Sequence, residues 1–556
     1  MKRTIYLVVL LTGFAFQQAH SQSYTPISGV INDYTSVTSI LSADENNVDS
    51  VVVASSAAFG VGDTVMLYCV KGAEVTTIFD GPSVPGQDAQ NPRNTGRYAF
   101  LIIEEVIGNT IVLNATVNPG IRPMGAGEMA QLIRVRSYRY AYVTPAGLEA
   151  PSWNPMTGTG GVATLFVHGV LRLDGDIDVS GDGFKGAPGS VDTEYTAGCL
   201  DGDTMSYFYL NEELWAGLKG EGVTDTSFHY YRGKGSNING GGGGNGLLAG
   251  GGGGSNYSAG VQGGEQSTTC SSGDSLTGGE GGFDLGRNGW YYINTNSDRT
   301  DRIFFGGGGG SGTNTATTIS SDGGNGGGIV VIIADTILGN GGGIYADAED
   351  VSGALVSGAG AGGGGGGCII LDVAGYQGTL NLSAGGGDGG STTGSDTTGM
   401  GGAGGGGIYW LAGDTHPGVV PDFSTGSNGV HFSIPPYAPL ESPREPYQLD
   451  DLIAPLRGFL FNPVPSEFTI CSDQDPEPIV TSEPKGGDGT YTYQWLDSSK
   501  VQNSWEIITG ATSRDYDPDP LSDTIYYRRI VNSIGLIDTS FRIAVYVHPA
   551  ITGNTI

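Results

Sequence analysis

The chain has 556 residues, 100 of them glycine, and a formal charge of -32 from 57 acidic and 25 basic side chains. That balance excludes a nucleic-acid binder, whose phosphate contacts need Lys and Arg, and gives no electrostatic hold on anionic lipid. The length calls for two to four domains. Glycine could signal disorder, but 77 of the 100 glycines lie between Gly158 and Gly413 among evenly spaced runs of Ile, Val and Leu, which favours an ordered repeat.

Lys2 and Arg3 precede an apolar run from Ile5 to Phe16, and Ala19-x-Ser21 offers a small-residue cleavage site. The run is too short to span a bilayer, so residues 1–21 are expected to be a secretory signal peptide, with no transmembrane segment after it. Five cysteines are an odd number for an oxidising setting. Cys199 and Cys270 flank one irregular stretch and are the candidate disulfide. Cys368 opens an apolar strand and reads as a small buried hydrophobe.

Residues 22–151 read as a compact β domain. Strand-like segments such as Thr64-Val65-Met66-Leu67-Tyr68 and Ala99-Phe100-Leu101-Ile102-Ile103 are separated by turn signals such as Gly108-Asn109. Its expected role is to cap the stack that follows, because an open β stack must hide its edge strands.

Over residues 152–431 a phrase recurs. Glycine triplets at Gly326, Gly365 and Gly405 start 39 and then 40 residues apart, and each precedes an apolar strand beginning at Ile329, Cys368 or Ile408. A fixed period of this size predicts stacked units, and strands wound this way make a right-handed parallel β-helix. Alternation places Leu171, Leu173, Ile177 and Val179 on one face. The glycines are expected at corners that need φ > 0, and the longer runs could pack as polyglycine strands that approach closely because they lack side chains.

Between residues 197 and 302 the pattern breaks into an insertion rich in aromatics. Tyr207, Tyr209, Trp215, Tyr230, Tyr231, Trp290 and Tyr291 form a candidate ligand surface, since exposed rings stack on sugars or partner surfaces. The competing expectation is that they pack on the flank of the coil. A proline-rich connector covers 432–460. Residues 461–550 carry short alternating strands at immunoglobulin-like spacing, with Trp495 as a candidate buried strand-C tryptophan. Asp523-x-x-x-Tyr527-x-Arg529 has a tyrosine-corner shape, with Arg529 where an antibody domain has its second cysteine. The fold class expected is therefore all-β: an N-terminal β domain, a glycine-rich right-handed parallel β-helix and a C-terminal immunoglobulin-like β-sandwich.

Gly486-Gly487-x-Gly489-Thr490-Tyr491-Thr492-Tyr493-Gln494-Trp495, Ile508-x-Gly510-Ala511-Thr512 and Thr524-x-Tyr526-Tyr527-Arg528-Arg529 resemble the immunoglobulin-like repeats of large surface adhesins of Bacteroidota, including those of gliding bacteria. Gly62-Asp63-x-Val65 and Asp176-Ile177-Asp178-Val179-Ser180-Gly181 resemble the earlier regions of the same proteins. The resemblance implies a secreted, non-catalytic protein on the outer-membrane exterior, exported and anchored by the type IX secretion machinery, that binds surface glycans or abiotic surfaces and serves gliding motility. Two departures stand out. No C-terminal sorting domain is visible, and residues 551–556 look like the start of a further repeat, so the chain is expected to be the N-terminal portion of a longer protein or a natural truncation. A cysteine that relatives carry near Ser533-Ile534-Gly535-Leu536 to accompany Cys471 is missing.

The alternative is a polysaccharide-degrading parallel β-helix enzyme, a lyase or glycoside hydrolase, with an appended immunoglobulin-like module. It needs convergent carboxylates with a basic partner, and Asp174, Asp176 and Asp178 with Arg172 are the candidates. Their alternation with Leu173, Ile177 and Val179 reads instead as a solvated face. No cofactor is expected. Ca²⁺ is conceivable at Asp182, Asp201 and Asp203, although no spacing there matches a defined calcium loop.

Overall fold

The computed structural model describes residues 23–41, 48–75, 89–114, 121–189, 199–200, 207–226, 229–270, 277–285, 302–314, 320–353, 358–393, 399–411, 417–431, 447–448, 458–465, 467–499 and 504–549. The expected signal peptide, most of the proline-rich connector and residues 551–556 lie outside them. The described residues are all-β, with no α-helix among them.

Six strands close an antiparallel barrel: Asp33–Leu41, Ser50–Val53, Thr110–Leu113, Tyr98–Ile107, Thr64–Lys71 and Met129–Arg134. Val37, Val51, Leu67, Leu101 and Ile111 fill it. Alternate residues of the same strands (Met66, Tyr68, Tyr98, Phe100, Ile133) face outward into a second apolar cluster, so the barrel is apolar on both faces where it meets its neighbour. The barrel is bounded by Asp33 and Arg134. Thr25–Val30, Arg136–Tyr138 and Ala141–Glu149, inside the 22–151 segment by sequence, pair with the next unit as parallel strands.

That unit is a parallel, in-register stack. Val162–Leu173 pairs with Ile329–Asn340, which pairs with Cys368–Ser383, which pairs with Ile408–Leu411. Ile329 lies opposite Cys368, and Cys368 opposite Ile408, so the glycine–strand period is the spacing of the rungs. Both faces are buried, which explains near-continuous apolar runs such as Ile329-Val330-Val331-Ile332-Ile333. Val331, Ile333, Cys368 and Ile370 join the cluster shared with the barrel. Val330, Ile332, Ile369 and Leu371 face the opposite cluster, where they meet Leu171, Leu173, Ile177 and Val179.

Beyond the strands each rung continues into a glycine run, and the runs form a lattice. Along 306–311 the amides donate in a three-residue rotation. Gly306 and Gly309 donate to the carbonyls of Gly327 and Gly324, Gly307 and Gly310 to those of Ser255 and Gly252, and Gly308 and Ser311 to those of Glu221 and Leu218, all at 2.8–2.9 Å. The run 250–255 repeats the rotation: Gly250 and Gly253 donate to Gly264 and Val261, Gly251 and Gly254 to Gly360 and Gly363, and Gly252 and Ser255 to Gly242 and Asn239. Three residues per turn, with no bond inside the run and every bond to a neighbour, is polyproline-II geometry. Each run therefore sits among neighbours on three sides, its glycines held by backbone bonds and its terminal Ser255 and Ser311 adding their hydroxyls.

Close approach, not positive φ, is why these positions are glycine. A Cβ on Gly306 would lie 1.8 Å from the carbonyl oxygen of Gly365, and one on Gly308 1.9 Å from that of Lys185, while neither glycine has φ in the left-handed range. The corner role holds at turns such as Gly108 (φ 59°) and Gly341 (φ 104°). On one flank of the lattice carboxylates serve as acceptors in place of carbonyls. Asp350 accepts from the amide of Asp388 (2.7 Å), Asp388 from that of Ser427 (2.6 Å) and Asp347 from that of Gly385 (2.6 Å). Part of the acidic excess thus serves to accept backbone amides.

The C-terminal module has one six-stranded sheet, in which Glu467–Cys471 runs parallel to Ile543–His548 and the remaining pairs are antiparallel. Trp495 and Arg529 are fully buried there, and the Trp495 indole stacks on Tyr516 at 5.5 Å. The module is docked on the stack. Phe459 and Phe461 are buried in the cluster that holds Phe100 and Phe166, with Phe459 4.8 Å from Phe166, and His168 stacks on Phe461 at 4.5 Å. Lys485 pairs with Asp372, and the Ser482 hydroxyl donates to Asp335.

Candidate functional site

The insertion holds glycine runs of its own, and its aromatics are mounted on them. Three short segments are tied together: the Tyr209 and Arg232 backbones exchange hydrogen bonds, Lys219 N donates to Tyr231 O, and Gly235 N donates to Tyr207 O. The Arg232 guanidinium turns inward to the carbonyls of Asn211 (3.0 Å) and Ala216 (2.9 Å). The Lys219 ammonium is buried and donates to the carbonyls of Tyr207 (2.7 Å), Gly233 (3.1 Å) and Gly235. It also lies 4.5 Å from the ring centre of Phe208, a cation–π contact.

On this base the candidate aromatics divide. Tyr207 and Tyr209 are half-buried; Tyr209 meets Trp215 edge-on at 5.8 Å, and Tyr207 lies under the Lys234 ammonium at 4.5 Å. Trp215 (45%), Tyr231 (45%) and Tyr230 (38%) are exposed, beside Leu210 (44%), and Tyr230 packs on Phe208 at 5.9 Å. Five of the seven predicted residues thus lie on these tied segments, a ledge that carries two ring pairs, Tyr209–Trp215 and Phe208–Tyr230. Trp290 and Tyr291 lie outside the described residues. A disulfide joins Cys199 to Cys270 across 71 residues of sequence, closing the insertion on itself. Cys69 and Cys368 are buried thiols, and burial pushes Cys69 up to about 12.

Below the ledge is a charge group that no sequence pattern marked. Burial lowers the Lys219 and Lys234 ammonium groups from their ordinary range, Lys219 strongly. Burial also raises the Glu280 carboxyl to about 7, an effect the two lysines oppose. The three are 15 and 46 residues apart in sequence; the pairing of 232–245 with 277–283 joins Lys234 to Glu280, and the bonds of Gly217 and Gly220 to Gly244 and Gly241 bring in Lys219. Because folded Glu280 holds its proton more tightly than the unfolded chain does, its contribution to stability is full below pH 4.5 and lost as pH rises to about 7. His168 acts in the opposite sense: burial lowers it to about 4, so stability falls as pH drops from 6.5 towards that value. Glu280→Gln should therefore remove the Glu280 slope and leave the His168 slope. Melting curves of the two proteins across pH 4.5–7 check this, and the gap between their Tm values should change over that window in the direction that favours wild type at low pH.

The carboxylates of the enzyme alternative are engaged locally. Asp174 makes a two-point pair with Arg172 (2.8 and 2.7 Å) and accepts from Asn340, and these bonds hold its carboxyl below the usual range. Asp176 accepts from Gly343 N (2.8 Å) and Asp178 from Ser180 N (2.9 Å). Asp182 accepts from the Ser152 hydroxyl, and Asp201 and Asp203 lie outside the described residues. Among the described residues no group of three or more His, Cys, Asp or Glu side chains is placed to hold a metal ion, and no helix is long and apolar enough to cross a membrane.

Residues 462–549 match a family described as "Domain of unknown function (DUF8696)". No curated protein and no solved structure matches the chain.

Proposed function

We propose that the parallel stack is a right-handed parallel β-helix, that the C-terminal module is immunoglobulin-like, and that the chain is a non-catalytic, secreted cell-surface adhesin or surface-filament component. In this reading the type IX machinery exports and anchors it, it binds surface glycans or abiotic surfaces, and it serves gliding motility. The observation that carries the reading is the lattice. Backbone runs locked amide to carbonyl make a stiff body whose bulk offers few side chains for chemistry. The docked C-terminal module supports it, since buried Phe459 and Phe461 fix the module's direction relative to the stack, as a load-transmitting spacer requires. The engagement of Asp174, Asp176 and Asp178 in rung turns favours a structural use of these acids over the lyase or hydrolase alternative.

The test is to coat beads with the purified chain and measure retention on glycan arrays, glass and cells, beside a polysaccharide-turnover assay. Retention, unchanged in the Asp176→Asn/Asp178→Asn variant and without turnover, is the expected result. Turnover abolished by that variant would install the enzyme reading instead. Retention on no surface would remove adhesion.

A further inference from the structure

Four of the exposed large apolar side chains fall within 22 residues of sequence, Leu210, Trp215, Tyr230 and Tyr231, and share the ledge described above. Single exposed apolar residues need no explanation, but a gathered set on a rigid base does. We infer that this ledge is a binding site for a neutral pyranose glycan, its rings stacking on the C–H faces of successive sugars. The inference rests on the adhesin reading and names the ligand class of one site within it.

Three observations select that ligand. The first is rigidity. Tyr209 buttresses Trp215 edge-on, Phe208 supports Tyr230, and both supports stand on segments bonded into the lattice, with the Cys199–Cys270 disulfide closing the insertion. A flat ligand then meets rings whose freedom has already been lost, so little ordering cost remains at binding. The second is charge. The three cations at the ledge are buried: Lys219 is spent on three carbonyls, Arg232 on two, and Lys234 lies against the Tyr207 ring. None of these three faces solvent to meet a carboxylate or sulfate, and the chain's charge of -32 repels polyanions. That disfavours uronate and sulfated polymers. The third is the rim. Asn211 and Glu212 are exposed beside Leu210, offering an amide and a carboxylate to sugar hydroxyls, while Glu213 is occupied in accepting from Leu210 N at 2.7 Å. An apolar platform with a few hydrogen-bonding groups beside it suits a molecule that has one C–H face and a hydroxylated edge. A protein partner would be served better by a continuous apolar patch than by rings interrupted with Asn and Glu.

The experiment uses the full mature chain. Saturation-transfer NMR and calorimetry are run with cellohexaose, mannohexaose and laminarihexaose, and with an alginate hexamer as the charged comparison. Transfer to at least one neutral hexaose and none to alginate is expected. Trp215→Ala should weaken binding by about tenfold, from the loss of a stacking contact worth about 1.5 kcal/mol, and Trp215→Phe should restore most of it. Because Trp215 is exposed, its variants should melt with wild type, which separates lost binding from lost folding. Surface retention of the beads is measured in parallel. If retention persists but no neutral glycan binds, or binding ignores Trp215→Ala, the glycan site is overturned while adhesion stands. If retention depends on Trp215 only on protein-coated surfaces, the ledge is a protein-docking site and the inference also falls. If neither sugar nor surface is bound, the adhesin reading falls with it.

Discussion

Gly404→Ala is expected to collapse the glycine lattice, whereas Gly375→Ala should leave the protein close to wild type. Both replace a glycine with the residue that differs by one methyl group. At Gly404 the added Cβ would sit 1.7 Å from the carbonyl oxygen of Gly364, a backbone atom itself hydrogen-bonded in the lattice. That oxygen accepts from Gly387 N, and Gly404 N donates to Gly387 O, so the run cannot back away without losing bonds on another side. Overpacking an ordinary core costs about 1–3 kcal/mol because neighbouring side chains yield. Here nothing yields but backbone, and the loss should exceed about 3 kcal/mol. At Gly375 the same methyl finds Thr336 Oγ1 at 3.5 Å, ordinary contact, and φ is not left-handed. Reduced chain entropy in the unfolded state should then make the change neutral or stabilising by up to about 1 kcal/mol. Circular dichroism melts and limited proteolysis of the two variants check the contrast. Equal behaviour would mean that the runs are not close-packed.

The contrast explains what could be read from the residues alone. The rung period was legible because in-register pairing forces Ile329, Cys368 and Ile408 to share one column, and apolar strands announce themselves by composition. The lattice was only partly legible. Consecutive amides of 306–308 go to acceptors near 327, 255 and 221, and a run of glycines has no side-chain pattern to say which distant runs those are. The limit of the barrel was hidden for a different reason. Met129–Arg134 closes the barrel and Arg136–Tyr138 joins the parallel stack, two neighbouring strands of similar composition with opposite partners. At the candidate site the aromatics stood out as residue types, but the inward-turned Lys219 and Arg232 beneath them did not. Isolated basic residues in an acidic chain look like surface charges until the carbonyls that receive them are placed.

Arg529 is the C-terminal module's counterpart to the lattice glycines, and Arg529→Ala should unfold the module while leaving the stack intact. By sequence, Arg529 stands where an antibody domain would have a cysteine; in the structure it is fully buried and acts as a polar hub. Its guanidinium donates to Asn462 Oδ1 (2.9 Å), the carbonyls of Arg514 (3.1 Å), Pro463 (3.2 Å) and Ser482 (3.2 Å), and the Thr481 hydroxyl. These acceptors come from three separate segments, so one side chain joins the start of the module to two later loops. Burial without a contacting carboxylate lowers the guanidinium to about 10, still charged at neutral pH. Removing it takes the donor from Asn462 Oδ1, Pro463 O and Ser482 O, while Arg514 O keeps the Thr481 hydroxyl, and each acceptor left unsatisfied costs about 1–3 kcal/mol. Arg529→Lys should recover little, since a single ammonium point cannot span acceptors arranged around a planar fork. Trp495 provides the readout. It is buried against Tyr516 with its indole N–H on Ser513 O, so unfolding of the module should shift its fluorescence to the red. The stack's own melt, followed by circular dichroism, should move far less, because the clusters around Ile332 and Leu371 contain no residue of the module's sheet. A variant that melts as wild type by both signals would show that the hub contributes nothing to holding the module together.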